Sequence, residues 1–393
     1  LLFKLLNKLR LFHFGIYQSL GIRKFFFLKE KKFKKRVFYP KIKSQFLNFK
    51  YKGVVVGDLI YDSYLRYNYK SSLDLNNNDF KEFFIKSINY FDEVIKIFQK
   101  FNVKAVFLSH TVYLPAFIGR FALKKNSDFY CIGITHLIKL SKKEYYIHNH
   151  KKYKKIFDSL SLKDKKKGIV SARNEITKRL NGVRSFNMEG LSKSPFHKKI
   201  DKNIITNSSK IKVLVATQCL IDSPHAFGNW LFNDFAEWLE YIGKISKITD
   251  YDWYIKPHPN NFRRNKKYVE DYLKRYPKFK LVPQDTSHYS LKGKIDFVLT
   301  NWGNIGMDLA LLNIKVINTN ANGRFGSFNF NLNPKNFSNY KDCILNLNKY
   351  KTFKINKDEI LESYFIHNFY FGPNWIINNY VKEMKKIGWS KKD

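Results

Sequence analysis

Residues 296–310, DFVLTNWGNIGMDLA, decide how the chain folds. Residues 297–299 are an unbroken apolar run, short enough for a strand buried on both faces. Thr300, Asn301, Trp302 and Gly303 end it with polar and turn-forming residues. Helical spacing then runs to Asn313, and 315–318 reads as the next strand. Working upstream, 212–217, 253–256 and 279–282 read as strands, and 229–247 and 266–276 as helices. Strands alternating with helices imply a parallel sheet with crossovers. Ligands of such sheets sit beyond the carboxyl ends of the strands.

The first half carries a similar pattern. Residues 52–56 and 104–110 read as strands, as does 129–135; 79–101, with Asp79 as N-cap, and 115–125 read as helices. Between the halves, 139–210 is Lys-rich; 164–180 can be helical, and 185–210 has no core face and reads as a linker. The expected organisation is a basic amphipathic segment over 1–50, a first α/β domain with the Lys-rich linker over 51–205, a second over 206–355, and helices over 356–393. A cleft is expected between the two α/β domains.

The chain has 393 residues, with 72 Lys and Arg against 32 Asp and Glu, a net charge of +40. Such a charge suits nucleic acid, an anionic membrane surface or phosphorylated substrates. The richness in Lys and Asn also fits an AT-rich coding bias. Residues 1–50 hold 14 Lys and Arg against Glu30 alone, net +13. An apolar stretch with interspersed lysines and a following polybasic run suits the inner face of the cytoplasmic membrane. Nucleic-acid binding is disfavoured, because the charge is spread and no nucleic-acid motif appears. Three cysteines give neither a disulfide framework nor a zinc site, and fit a reducing compartment. No stretch approaches the ~20 apolar residues that span a bilayer. No signal peptide is expected at the N-terminus. Because the chain starts at Leu1, an initiator residue or a few upstream residues are expected to precede it.

Four groups of residues carry chemistry. In 254–259, YIKPHP, two prolines hold His258 stiffly at a strand end beside Lys256; that pair suits a phosphate. In the opening stretch, the turn from Thr300 through Asn304 would cradle a phosphate at the start of a helix, with Asp308 one turn on for ribose hydroxyls. The loop 216–230, ATQCLIDSPHAFGNW, follows a strand, and its Gln218, Asp222 and His225 could orient a donor or touch its leaving group. In the first half, three strand ends carry ionisable sets: Asp58, Tyr61 and Asp62; Ser109, His110, Thr111 and Tyr113; Thr135 and His136. Asp58, Asp62 or His110 could be the base for an acceptor hydroxyl. Asp62 with Arg66 could equally be a structural i, i+4 pair.

The KPHP turn, followed by TNWGNIGMDLALLNIKVI over 300–317, resembles the GT-B glycosyltransferases of bacterial capsule and lipopolysaccharide biosynthesis. The nearest likeness is to the His-Pro-motif CMP-sugar transferases, Kdo transferases and polysialyltransferase-like enzymes among them. The resemblance covers roughly 50–330 and implies two Rossmann-like α/β domains facing a central cleft. It implies an inverting enzyme with a nucleotide-sugar donor, CMP-linked, and a lipid-linked or polysaccharide acceptor. It places His258 and the Thr300–Asn304 loop on the phosphate and Asp308 on the ribose. The sequence departs from the pattern at Asp308, where Glu is usual, and at Asn313, where Gly is usual. No Asp-x-Asp stands at a strand end, so neither a metal nor another cofactor is expected. CDP-glycerol glycerophosphotransferases are similar, and a catalytically inactive GT-B assembly partner is the remaining alternative.

Overall fold

A computed structural model describes residues 38–132, 137–147, 150–183, 194–201, 203–228, 230–259, 263–319 and 323–371. The basic N-terminal segment up to residue 37, and 372–393 of the expected helical tail, lie outside them. The described chain divides into two compact units: 38–64, 73–132 and 138–147 in one; 65–72, 137 and 150 onward in the other.

In the first unit, helix α1 (Lys43–Leu47) leads into a two-residue hairpin, β1 (Lys50–Tyr51) against β2 (Val54–Val55). Helices α2 (Gly57–Tyr67) and α3 (Asn78–Lys100) follow. The strand expected over 52–56 is therefore half of an antiparallel hairpin and joins no larger sheet. The sheet here has three strands: β3 (Ala105–Leu108), β4 (Asp128–Ile132) and β5 (Leu137–Leu140), in that order. β3 and β4 are parallel, joined by α4 (Ala116–Lys124). Asn77 caps α3 by accepting from the Asp79 N–H, so the cap lies two residues before the expected Asp79. The apolar stripe of α3, from Phe80 to Val94, packs into an aromatic core with Phe46 and Phe117.

The second unit is built on a five-stranded parallel sheet. Its strands are β6 (Lys212–Ala216), β7 (Asp252–Lys256), β8 (Phe279–Leu281), β9 (Phe297–Thr300) and β10 (Lys315–Asn318). The order is β10-β9-β6-β7-β8, every pair parallel. Successive residues alternate between faces. Val213, Val215, Trp253, Ile255, Phe297 and Leu299 pack with Trp238, Leu239 and Ile242 of α7 (Phe235–Ile248), Tyr272 of α8 (Arg263–Arg275) and Tyr340 of α10 (Phe337–Leu345). Leu214, Ala216, Tyr254, Val298 and Val316 face the other way, onto Leu309 of α9 (Ile305–Leu311). Behind α9 lie α5 (Tyr153–Asp158), α6 (Leu162–Leu180) and α11 (Lys357–Phe365), which bury Phe157, Ala172, Ile176 and Ile360 against Met307 and Ala310. Residues 194–206 do have a core face: Phe196 is 0% exposed and packs in the α9 layer, and the His288 N–H donates to the Pro195 carbonyl at 2.8 Å. Their Ser, Asn and Lys content hides two apolar anchors, Phe196 and Ile205.

Candidate functional site

Strand register sets the site. Ala216 pairs with Lys256, Val215 with Leu299, and Asn318 with Thr300. Four strands thus end level, in the row Lys256, Ala216, Thr300, Asn318. The chain goes from β6 outward through β7 and β8, then returns to β9 on the other side of β6. That reversal makes the β6–β9 boundary a switch point, where open α/β sheets take their ligands beyond the carboxyl edge.

The three loops leaving this edge are sewn together. The Thr217 N–H donates to the Lys256 carbonyl at 3.1 Å, and the His258 N–H donates to Thr217 Oγ1 at 3.2 Å. These bonds hold the KPHP turn against the loop after β6, with His258 half-buried. On the other side, Gly303 lies against Gln218: a Cβ built on Gly303 would meet Gln218 Nε2 at 2.8 Å. The contact is with the flexible end of the Gln218 side chain, and the Gly303 backbone is not left-handed. Beyond Gly303, Asn304 Oδ1 accepts from Arg324 Nη1 at 2.7 Å. His258, Thr217, Gln218, Gly303, Asn304 and Arg324 thus follow one another along the edge. Thr217 and Arg324 were not singled out from sequence; Thr217 sits in the loop that was, and Arg324 carries no local signal.

Several expected site residues turn inward. Lys256 is 6% exposed and donates through Nζ to the Gln284 carbonyl. Burial pushes its pKa down to about 8, against a small opposing pull from Asp285. Thr300 and Asn301 are fully buried; Asn301 Nδ2 donates to Thr319 Oγ1 at 2.6 Å, and the Thr319 N–H donates to the Thr300 carbonyl. Trp302 packs edge-on to Phe227 and Trp230, at 5.5 Å each, as part of the core. Of the Thr300–Asn304 loop, only Gly303 and Asn304 reach the surface.

Asp308 is 1% exposed, and Arg179 of α6 grips both its carboxylate oxygens, Nε to Oδ1 at 2.8 Å and Nη2 to Oδ2 at 2.5 Å. The resemblance implies a ribose contact for Asp308; here its carboxylate is held in an internal ion pair, because α6 packs over α9 and delivers a guanidinium to that point. His288 Nδ1 stands 3.7 Å from Asp308 Oδ2. Burial, reinforced by Lys256 and Arg179, pushes the His288 pKa well below its ordinary value, so the ring is neutral. In the loop after β6, Asp222 is exposed and accepts from the Ser223 N–H at 2.9 Å, whereas His225 is 1% exposed.

In the first unit, Asp58 and Asp62 follow the short hairpin strand β2 rather than a strand of the three-stranded sheet. Both lie on α2 and are buried, because the helix starts at Gly57, directly after the hairpin. Asp58 forms a two-pronged ion pair with Arg120 of α4, at 2.7 and 2.6 Å, and accepts from Tyr146 Oη at 3.1 Å. His110 follows β3, is exposed, and has Nδ1 2.9 Å from Ser109 Oγ. Thr135 and His136 lie outside the described residues. Among the described residues, no group of three or more His, Cys, Asp or Glu is placed to hold a metal ion, and no helix is long and apolar enough to cross a membrane.

No protein-family model and no curated protein matches the chain. Among solved structures, it is similar to KpsC, a beta Kdo 2,4 transferase of Thermosulfurimonas dismutans, at 11% identity and a TM-score of 0.38, over 66% of this chain and 78% of that one. It is also similar to a glycosyltransferase from Rickettsia africae ESF-5, at 13% identity and a TM-score of 0.29, over 82% of this chain and 84% of that one.

Proposed function

We propose that the chain is a glycosyltransferase that takes a sugar from a nucleotide-linked donor, CMP-linked by its motifs, and adds it to a surface polysaccharide or lipid-linked acceptor. One observation carries the reading. The KPHP turn, the loop after β6 and the TNWGN loop, separate in sequence, meet at the carboxyl edge of three adjacent parallel strands. A donor phosphate at that edge would meet His258, Gln218 and the surface of the Gly303–Asn304 turn. His258 would stabilise the departing phosphate, the electrostatic contribution that usually weighs most in such transfers. Lys256 would act from behind the KPHP turn, and Asp308 as an anchor of α9. Of the acceptor-base candidates in the first unit, His110 is the exposed one. The phosphate charge is proposed to be met without a metal, so activity should persist in EDTA. Membrane attachment is assigned to the basic segment within 1–50, with the enzyme peripheral on the cytoplasmic face.

The test combines binding and turnover. CMP, CDP, UDP and GDP are screened by thermal shift; a nucleotide that binds the folded state raises its melting temperature. With the donor so identified, His258→Ala should cut turnover about 100-fold or more while the melting temperature holds. If no nucleotide binds, or the folded variant turns over at the normal rate, the proposal fails.

A further inference from the structure

We infer that Arg324 is a phosphate-binding residue of this edge, held by Asn304 so that its guanidinium contacts phosphoryl oxygens of the nucleotide donor; the inference rests on the donor reading above. Three other guanidinium groups meet carboxylates: Arg120 meets Asp58, Arg179 meets Asp308, and Arg275 meets Glu240 at 2.6 Å. Arg324 is half-buried, and its one hydrogen-bond partner among the described residues is a neutral amide oxygen, Asn304 Oδ1. Among these residues no carboxylate pairs with it. A partly desolvated cation without a counter-charge is costly, and burial holds its pKa below the ordinary arginine value. A bound anion would offset that cost.

Two further observations give position and rigidity. Asn304 follows Gly303, which touches Gln218, so Arg324 continues the row that starts at His258. Arg324 also sits in a tight turn, closed by the Gly326 N–H donating to the Gly323 carbonyl at 3.0 Å. Its neighbour Phe325 is buried beside Phe330, in the layer that covers α9. The backbone is thereby fixed, and one edge of the guanidinium fork is already engaged. Phosphate is the favoured anion, because the planar fork matches two of its oxygens.

The experiment is calorimetric titration of the full chain with inorganic pyrophosphate, with CMP, CDP, UDP and GDP, and with cytidine, uridine and guanosine. Arg324→Gln keeps a partner for Asn304 and removes the charge. It should weaken nucleotide and pyrophosphate binding about 10- to 100-fold and leave nucleoside binding unchanged; Arg324→Lys should fall between. Should Arg324→Gln not fold, Asn304→Ala releases the guanidinium and should weaken the same ligands alone. Nucleotide and pyrophosphate affinities that survive Arg324→Gln overturn the assignment and leave the donor reading standing. Pyrophosphate binding that needs Arg324, with no nucleotide bound, keeps the anion site and removes the donor reading. A wild-type chain that binds none of these compounds overturns both.

Discussion

Replacing Arg179 with Met would leave the Asp308 carboxylate buried at 1% exposure with its counter-charge gone. Breaking a buried pair from one side costs about 3–5 kcal/mol, because the remaining charge keeps its desolvation penalty. His288, neutral and 3.7 Å away, offers little compensation. In a unit of this size each kcal/mol moves the melting temperature by about 2–4 °C, so the loss should be roughly 6–20 °C. Asp308→Leu should cost a similar amount, and the double variant far less than the two added together, with a coupling of about 2 kcal/mol or more. Urea unfolding followed by tryptophan fluorescence is the assay. The four described tryptophans, Trp230, Trp238, Trp253 and Trp302, all lie in the second unit, so their signal reports that unit. Additive losses, or a loss under about 1 kcal/mol for Arg179→Met, would refute the ion-pair account. A stable Asp308→Asn that binds nucleotide poorly would return Asp308 to the ribose.

Other expectations follow from the same geometry. The buried Lys256 has a folded pKa of about 8 against 10.5, so between those values the unfolded chain holds more protons and stability rises with pH, by up to about 3 kcal/mol. The stability difference between Lys256→Met and wild type should therefore favour the variant at pH 7 and shrink by pH 9.5; a constant difference would rule this out. His288, held neutral when folded, takes up a proton on unfolding below about pH 6.5, so stability falls as pH falls. His288→Gln should flatten that acid limb, measured as melting temperature from pH 7 to 5. Gly303→Ala meets only the mobile end of Gln218, so it should cost under about 1 kcal/mol of stability yet weaken nucleotide binding. Gly57→Ala drives a methyl group into the backbone carbonyl of Phe46 and should destabilise the first unit by several times that amount, seen as earlier proteolysis of 38–147.

The strands of the second unit were legible because each is a short apolar run buried on both faces and closed by a polar residue. Reading 315–318 as a strand reproduces β10 to the residue, and reading 253–256 finds β7 but starts one residue late; both end correctly, since Lys256 and Asn318 are where the apolar run stops. The first unit was harder. GDLIYDSYLR reads as a polar strand end because its two acids look solvent-bound, yet Arg120 and burial on α2 absorb them. A local pattern cannot show a partner supplied by a distant helix. The same limit governs the site. Lys256, Trp302 and Asp308 lie within the motifs and are consumed by the interior, by Gln284, by the aromatic core and by Arg179, which is 129 positions from its partner. Arg324 carries no motif and reaches the edge only because β10 pairs with β9 and its loop folds back over α9. Motif spacing therefore located the strand edge, while register and burial decide which polar groups there are partly exposed. Those groups are His258, Gln218, the Gly303–Asn304 turn and Arg324. A titration that needs them and is indifferent to Lys256→Met would separate the edge from the interior that supports it.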